Sequence, residues 1–197
     1  MQNFHSLAGK TAGFLSLIGF IPYLLTTLKG KTRPNRATWI IWTVVGIALL
    51  ASYKEAGATD AIWVTVANVI AFGAVVGLSF KYGEGNWTPL DLGCLVSAGV
   101  GFFLWWFFDS PLPTLYISIL VDLIGALPTL KKAYLDPEGE DRLTWFLFWM
   151  ANTINLFAIE KAGFAMWAYP VYLFLISGAI MAILFMTRRY RPSKRSG

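Results

Sequence analysis

Apolar runs close to the length of a bilayer crossing recur seven times in this chain of 197 residues, and the charges fall between them. A hydrocarbon core about 30 Å thick takes roughly 20 helical residues to cross. The runs fall at 8–28, 37–53, 60–80, 90–108, 112–130, 143–159 and 164–187. At 56% hydrophobic and 14% charged, the chain has too little polar surface to stay in water as an ordinary soluble domain. The sequence therefore predicts an all-α membrane protein with seven transmembrane helices.

Met1 to Lys10 lacks a basic stretch followed by a short apolar core and a small-residue cleavage site, so the first run is expected to be a retained span. Cys94, the only cysteine, falls within span four, which leaves no partner for an intramolecular disulfide or cysteine metal cluster. His5, the only histidine, lies in the terminal segment, away from any histidine-built metal site or Ser-His pair. No cofactor or metal is expected. No glycine-rich phosphate loop with its lysine is present, which argues against an ATP-driven pump.

Lysine and arginine counts in short loops set orientation, because positive loops stay in the cytoplasm. One side collects Lys29, Lys31, Arg33, Arg36, Lys81, Lys131, Lys132, Arg142, Arg188, Arg189, Arg191, Lys194 and Arg195, against Lys10, Lys54 and Lys161 on the other. This bias predicts an integral multi-pass protein with its N-terminus outside and its C-terminus in the cytoplasm. The basic tail, 188–197, reads as a stop-transfer anchor beside anionic lipid rather than a nucleic-acid patch.

The two ends of the chain repeat each other. A shift of 106 residues, the distance from Trp39 to Trp145, carries Thr38 to Thr144, Arg36 to Arg142, Gly19 to Gly125, Pro22 to Pro128 and Ala56-Gly57 to Ala162-Gly163. Spans one to three thus correspond to spans five to seven. Three spans leave the chain on the opposite side and a fourth returns it, so the two bundles share one orientation. The predicted division is a first three-helix bundle at 8–80, a linker helix with flanking loops at 81–111, a second bundle at 112–187 and the tail.

Asn35 and Asp141 are repeat equivalents placed to cap the helices that follow them. Trp39 and Trp145 then fall in the first turn, where an amphipathic indole is expected to anchor at headgroup depth. Pro22 and Pro128 each lie inside a helix, remove a backbone hydrogen bond and are candidate hinges. Gly9 with Gly13, and Gly73 with Gly77, have the small-residue spacing that lets helices approach closely.

The stretch Phe20-Ile21-Pro22-Tyr23, followed by Lys29, Lys31, Asn35 and Trp39, resembles the PQ-loop of semi-SWEET and SWEET transporters. Tyr23 and Thr129 stand where that motif has glutamine. The resemblance implies two parallel three-helix bundles joined by a linker helix, with Asn68 at the family's substrate-binding asparagine and Tyr53 at its pocket tryptophan. The nicotinamide riboside transporters share a similar plan with tryptophan-rich pockets, which makes a ring-bearing vitamin a competitor to sugar. A cargo receptor for C-terminal retrieval signals uses a similar fold, and such a receptor would need arginine or lysine deep in its spans.

Polar side chains facing hydrocarbon are costly, roughly 2.5–3.5 kcal/mol for an aspartate at a helix centre, so they usually turn inward. Asp122 lies about ten residues into span five, roughly 15 Å deep. Such an acid takes up a proton, receives a cationic substrate group, or sits neutral and hydrogen-bonded to a neighbouring helix. Asn152 and Asn155 on span six and Asn68 on span three reach similar depths, as substrate contacts or as amides that merely link helices. Trp42 and Trp149, deeper than Trp39 and Trp145, are candidate cavity walls or plain packing. With Tyr53, these are the candidate substrate-binding residues.

The functional expectation is a carrier, not an enzyme, that moves a small polar molecule, sugar-like or vitamin-like, by alternating access at a midplane cavity. Proton coupling would rest on Asp122. The alternative is a non-transporting membrane receptor or scaffold. The expected partners are a small-molecule substrate and the lipid bilayer, with no nucleic acid; a homo-oligomer is left open.

Overall fold

The computed structural model describes residues 2–55, 61–106, 111–159 and 164–190, with side chains at 4–48, 50, 66, 68–104, 116–159 and 167–187. These residues form seven α-helices and one short 3-10 turn: α1 Gln2–Leu28, α2 Arg36–Glu55, α3 Ala61–Tyr82, α4 Pro89–Trp106, α5 Pro111–Leu135, the turn Pro137–Gly139, α6 Arg142–Leu156 and α7 Phe164–Tyr190. The helices follow the apolar runs closely because each run is bounded by turn and capping residues. Two of them, over Phe4–Leu28 and Trp167–Thr187, are long and apolar enough to cross a membrane by that measure alone.

Local chemistry sets the helix ends. At the end of α1, Gly30 adopts φ 68°, a left-handed conformation that costs glycine little. Its N–H reaches Thr27 O at 2.9 Å and the Lys31 N–H reaches Thr26 O at 2.9 Å, which satisfies two terminal carbonyls. At the next start, Asn35 Oδ1 accepts from the Thr38 N–H at 3.1 Å, and in the repeat Asp141 Oδ1 accepts from the Thr144 N–H at 2.7 Å. Both expected caps are present.

Helix α3 packs against both α1 and α2, and α7 against both α5 and α6; α1 lies on α6, and α2 lies on α5. Gly19 and Gly125 sit at these last two crossings. A Cβ at Gly19 would lie 2.8 Å from the Phe148 ring, and one at Gly125 would lie 2.7 Å from Ile41 Cγ2. Helix α4 packs on α5 and α2, where Cys94 and Ala98 close over Ile41, Val45 and Val121.

Three expectations need correction. Gly73 and Gly77 meet nothing within 4 Å, so that pair marks no close helix contact among the described residues. Trp39 and Trp145 are 0% and 2% exposed and belong to the core, not to an interfacial belt. Their indole N–H groups are satisfied inside, by Tyr23 OH at 3.1 Å and Glu140 Oε2 at 2.9 Å, which removes the need for water at that position. Lys132, expected in a loop, is carried inward by α5, which runs five residues past the anticipated end, and it is 3% exposed.

The glycine geometry yields the first prediction. Gly125→Ala forces a methyl against the Cβ and Cγ2 of Ile41 and is expected to cost about 1–3 kcal/mol as overpacking. Gly73→Ala adds a methyl in open space and is expected to be neutral or stabilising by up to about 1 kcal/mol. Thermal unfolding of the two variants in detergent reads the contrast directly.

Candidate functional site

The inward stripe of α5 carries Asp122, Ala126, Thr129 and Ala133 at helical spacing, all 5% exposed or less. Asp122 stands one residue from the middle of α5 (Pro111–Leu135). Its Oδ2 accepts from Tyr172 OH at 2.6 Å and its Oδ1 from Tyr169 OH at 3.2 Å, both phenols coming from α7. Trp42 Nε1 on α2 donates to the Asp122 backbone oxygen at 3.2 Å. Three helices from both copies of the repeat thus converge on this carboxylate.

Tyr169 and Tyr172 were not anticipated from the sequence, which drew attention to acids and amides. The available signal was their three-residue spacing, which puts two phenols on one face of the last helix at a depth where an acid needs donors. The other candidates are distributed differently. Asn152 Nδ2 donates to Ser177 Oγ at 3.2 Å and to Leu173 O at 3.4 Å, so this amide clips α6 to α7. Asn155 lies half-buried near the end of α6. The Oδ1 of Asn68 on α3 is buried with no hydrogen-bond partner among the described residues. No hydrogen bond among the described residues joins Asp122 to Asn68, Asn152 or Asn155.

Trp149 packs on Gly178 and faces Phe174, with ring centroids 6.0 Å apart. That placement makes it a packing residue of the α6–α7 contact. Trp42 instead lies beside the carboxylate, 5.3 Å from Trp39 and 6.2 Å from Trp145 between centroids. Tyr53 lies outside the residues whose side chains are described. Pro22 and Pro128 each sit within a helix that continues beyond them.

Below Asp122, toward the end of the bundle that gathers the basic residues, an aromatic layer of Phe20, Trp39, Trp42, Phe72, Trp145 and Phe148 fills the axis. A second polar cluster follows about 15 Å further along α5, ten residues on. There Lys132 Nζ pairs with Glu140 Oε1 at 2.7 Å, and both side chains are no more than 1% exposed. The same ammonium donates to Gly139 O at 2.9 Å and to Arg33 O.

A third polar assembly lies at the surface of this end, around a small open pocket lined by Asn35, Arg36, Glu84, Asn86, Trp87 and Asp91. Asn35 Nδ2 donates to Glu84 Oε2 at 2.7 Å and to Asp91 Oδ1 at 2.9 Å, tying α2 to the start of α4. Burial pushes the Glu84 carboxyl above its ordinary value, and the Asn35 bond draws it part of the way back. Asp91 and Glu140 reinforce the rise, whereas Lys132 opposes it.

A carboxyl raised on folding favours the folded state while protonated, and that contribution is lost as pH rises through its folded value. The thermal midpoint is therefore expected to decline as pH climbs from about 4.5, the ordinary value, through Glu84's titration. Glu84→Gln should flatten that part of the profile. An unchanged slope would assign the dependence to other groups.

No protein-family model, no curated protein and no solved structure matches the chain.

Proposed function

We propose that this chain is a multi-pass membrane carrier for a small polar molecule, built from two like-oriented three-helix units, α1–α3 and α5–α7, with α4 as the linking crossing. Its outer surface supports the membrane reading. Phe14, Ile70 and Val96 are each 68% exposed, whereas Asp122, Asn35 and Lys132 are buried, a distribution suited to lipid and unsuited to water. The two-unit reading is supported by the helix contacts, which map onto one another when α1, α2 and α3 are exchanged for α5, α6 and α7. The charge bias then puts the basic end in the cytoplasm.

The observation that carries the transport reading is Asp122, a buried carboxylate at the middle of α5, held by two phenols of α7 where α2, α5 and α7 meet. No lysine or arginine pairs with it among the described residues, so it is suited to take a proton or a cationic group that passes through. The likeness to PQ-loop carriers supplies the mechanism: the two units rock around a central site and expose it alternately. The substrate is sugar-like or vitamin-like, and the Trp42 ring beside Asp122 suits the flat face of either.

A thermal-stabilisation screen in detergent over sugars, nucleosides, amino acids and vitamins identifies a ligand. Its uptake into sealed liposomes, with and without a pH gradient, then tests the carrier. Saturable uptake supports it. A ligand that stabilises the protein and never crosses the membrane makes the chain a receptor instead.

A further inference from the structure

We propose that Lys132, held by Glu140 within the second unit, latches the basic end of the bundle to Arg33 of the first, and that this bond must break for the central site to open on that side. The inference rests on the two-unit membrane reading above and goes beyond it by assigning the gate and its residues.

The cluster spans both units. Arg33 and Gly139 are repeat equivalents, and they meet through Arg33 N to Gly139 O at 2.9 Å, so the two connecting segments touch where the units join. Lys132 donates to the carbonyls of both. Glu140 and Trp145 come from the second unit, and Tyr23, Trp39 and Arg33 from the first. Beside them, Thr129 Oγ1 of the second unit donates to Thr38 Oγ1 of the first at 2.9 Å. At the rim, Arg33 pairs with Asp136 at 2.5 Å. Any separation of the units at this end breaks the bonds of Lys132, Gly139 and Asp136 to Arg33 and the Thr129–Thr38 bond together, and exposes the Lys132–Glu140 pair, which stays within the second unit.

The charges are not explained by duplication. Lys132 and Glu140 correspond under the repeat to Thr26 and Pro34, and at that place the first unit uses a Thr32 to Thr26 hydroxyl bond of 2.8 Å. Stability does not explain them either, since a dry ion pair roughly breaks even against apolar packing. A latch does explain them. An apolar seal loses its burial energy on opening and regains nothing, whereas an ion pair exposed to water recovers its hydration, so the closed and open states stay close in free energy. Pro22 and Pro128 precede Tyr23 and Thr129 directly, so bends at these two points would carry the latch residues apart.

The test uses accessibility and needs no substrate. In a Cys94→Ala background, Ala126→Cys places a reporter between Asp122 and the latch, at a position that is 0% exposed. A membrane-impermeant maleimide is applied to each face of sealed vesicles. With the latch intact, labelling should be slow from both faces. Glu140→Gln, which removes the carboxylate that holds the ammonium beside Arg33 O, should raise it at least about tenfold from the basic face alone. The double variant Lys132→Met with Glu140→Leu, which keeps the end closed, should label more slowly than the intact chain.

Unchanged labelling in Glu140→Gln, or equal acceleration from both faces, overturns the latch and leaves the pair a structural one. If Glu140→Gln fails to fold, the double variant decides: labelling at the parental rate overturns the proposal. Uptake without any latch-dependent labelling keeps the carrier and removes the latch. One-sided labelling in a chain that transports nothing does the reverse.

Discussion

Asp122→Asn is expected to lower substrate uptake into liposomes at least about tenfold and to abolish any dependence on a pH gradient, while thermal unfolding changes little. The side chain keeps its size and place. An amide oxygen still accepts from one phenol, and the amide nitrogen can donate to the other, whose hydroxyl accepts as well as donates. What is lost is the charge and the capacity to bind a proton. Tenfold corresponds to about 1.4 kcal/mol of transition-state stabilisation, a modest demand on a carboxylate in a low-dielectric site. Asp122→Leu, by contrast, takes the acceptor from the half-buried Tyr172 phenol, at about 1–3 kcal/mol, and should fail in stability as well as uptake. Uptake by Asp122→Asn at the parental rate, with the same pH response, would make the carboxylate a structural tie between α5 and α7.

The contrast between Asp122 and its neighbours shows which parts of the molecule are legible in a sequence. Helices and caps are local. Asn35 and Asp141 announce their role by position, and each accepts the amide three residues on. The depth of Asp122 follows from counting residues, and its inward placement from the cost of an acid in lipid. Long-range partners leave no such trace. Nothing adjacent to Trp145 says that Glu140 will turn inward to accept its N–H, so the indole reads as an interfacial anchor. Lys132 reads as one more loop charge because the apolar run of α5 ends before its helix does. Asn152 and Asn68 lie at a similar depth by count, yet Asn152 spends its amide on α7, and among the described residues neither shares a hydrogen-bond network with Asp122. Depth along a helix is readable in one dimension, whereas the direction of a side chain around the bundle depends on contacts from distant segments.

Lys132→Met should destabilise the chain by about 3–5 kcal/mol, because it strands Glu140 as an unpaired charge at 0% side-chain exposure. The backbone oxygens of Arg33 and Gly139 lose a donor at the same time. Glu140→Leu alone should cost a similar amount by stranding the ammonium. Combining Lys132→Met with Glu140→Leu removes both charges and should recover most of the loss, so the two costs are strongly non-additive. Recovery will not be complete, since the Trp145 N–H loses its acceptor, worth about 1–3 kcal/mol when left buried and unpaired. Adding Trp145→Phe should return part of that remainder. Chemical or thermal unfolding of the four variants in detergent gives the coupling energy. A coupling near zero would mean that the pair is hydrated in solution, and then the stability and the accessibility of this end would both have to be explained by the aromatic layer above it.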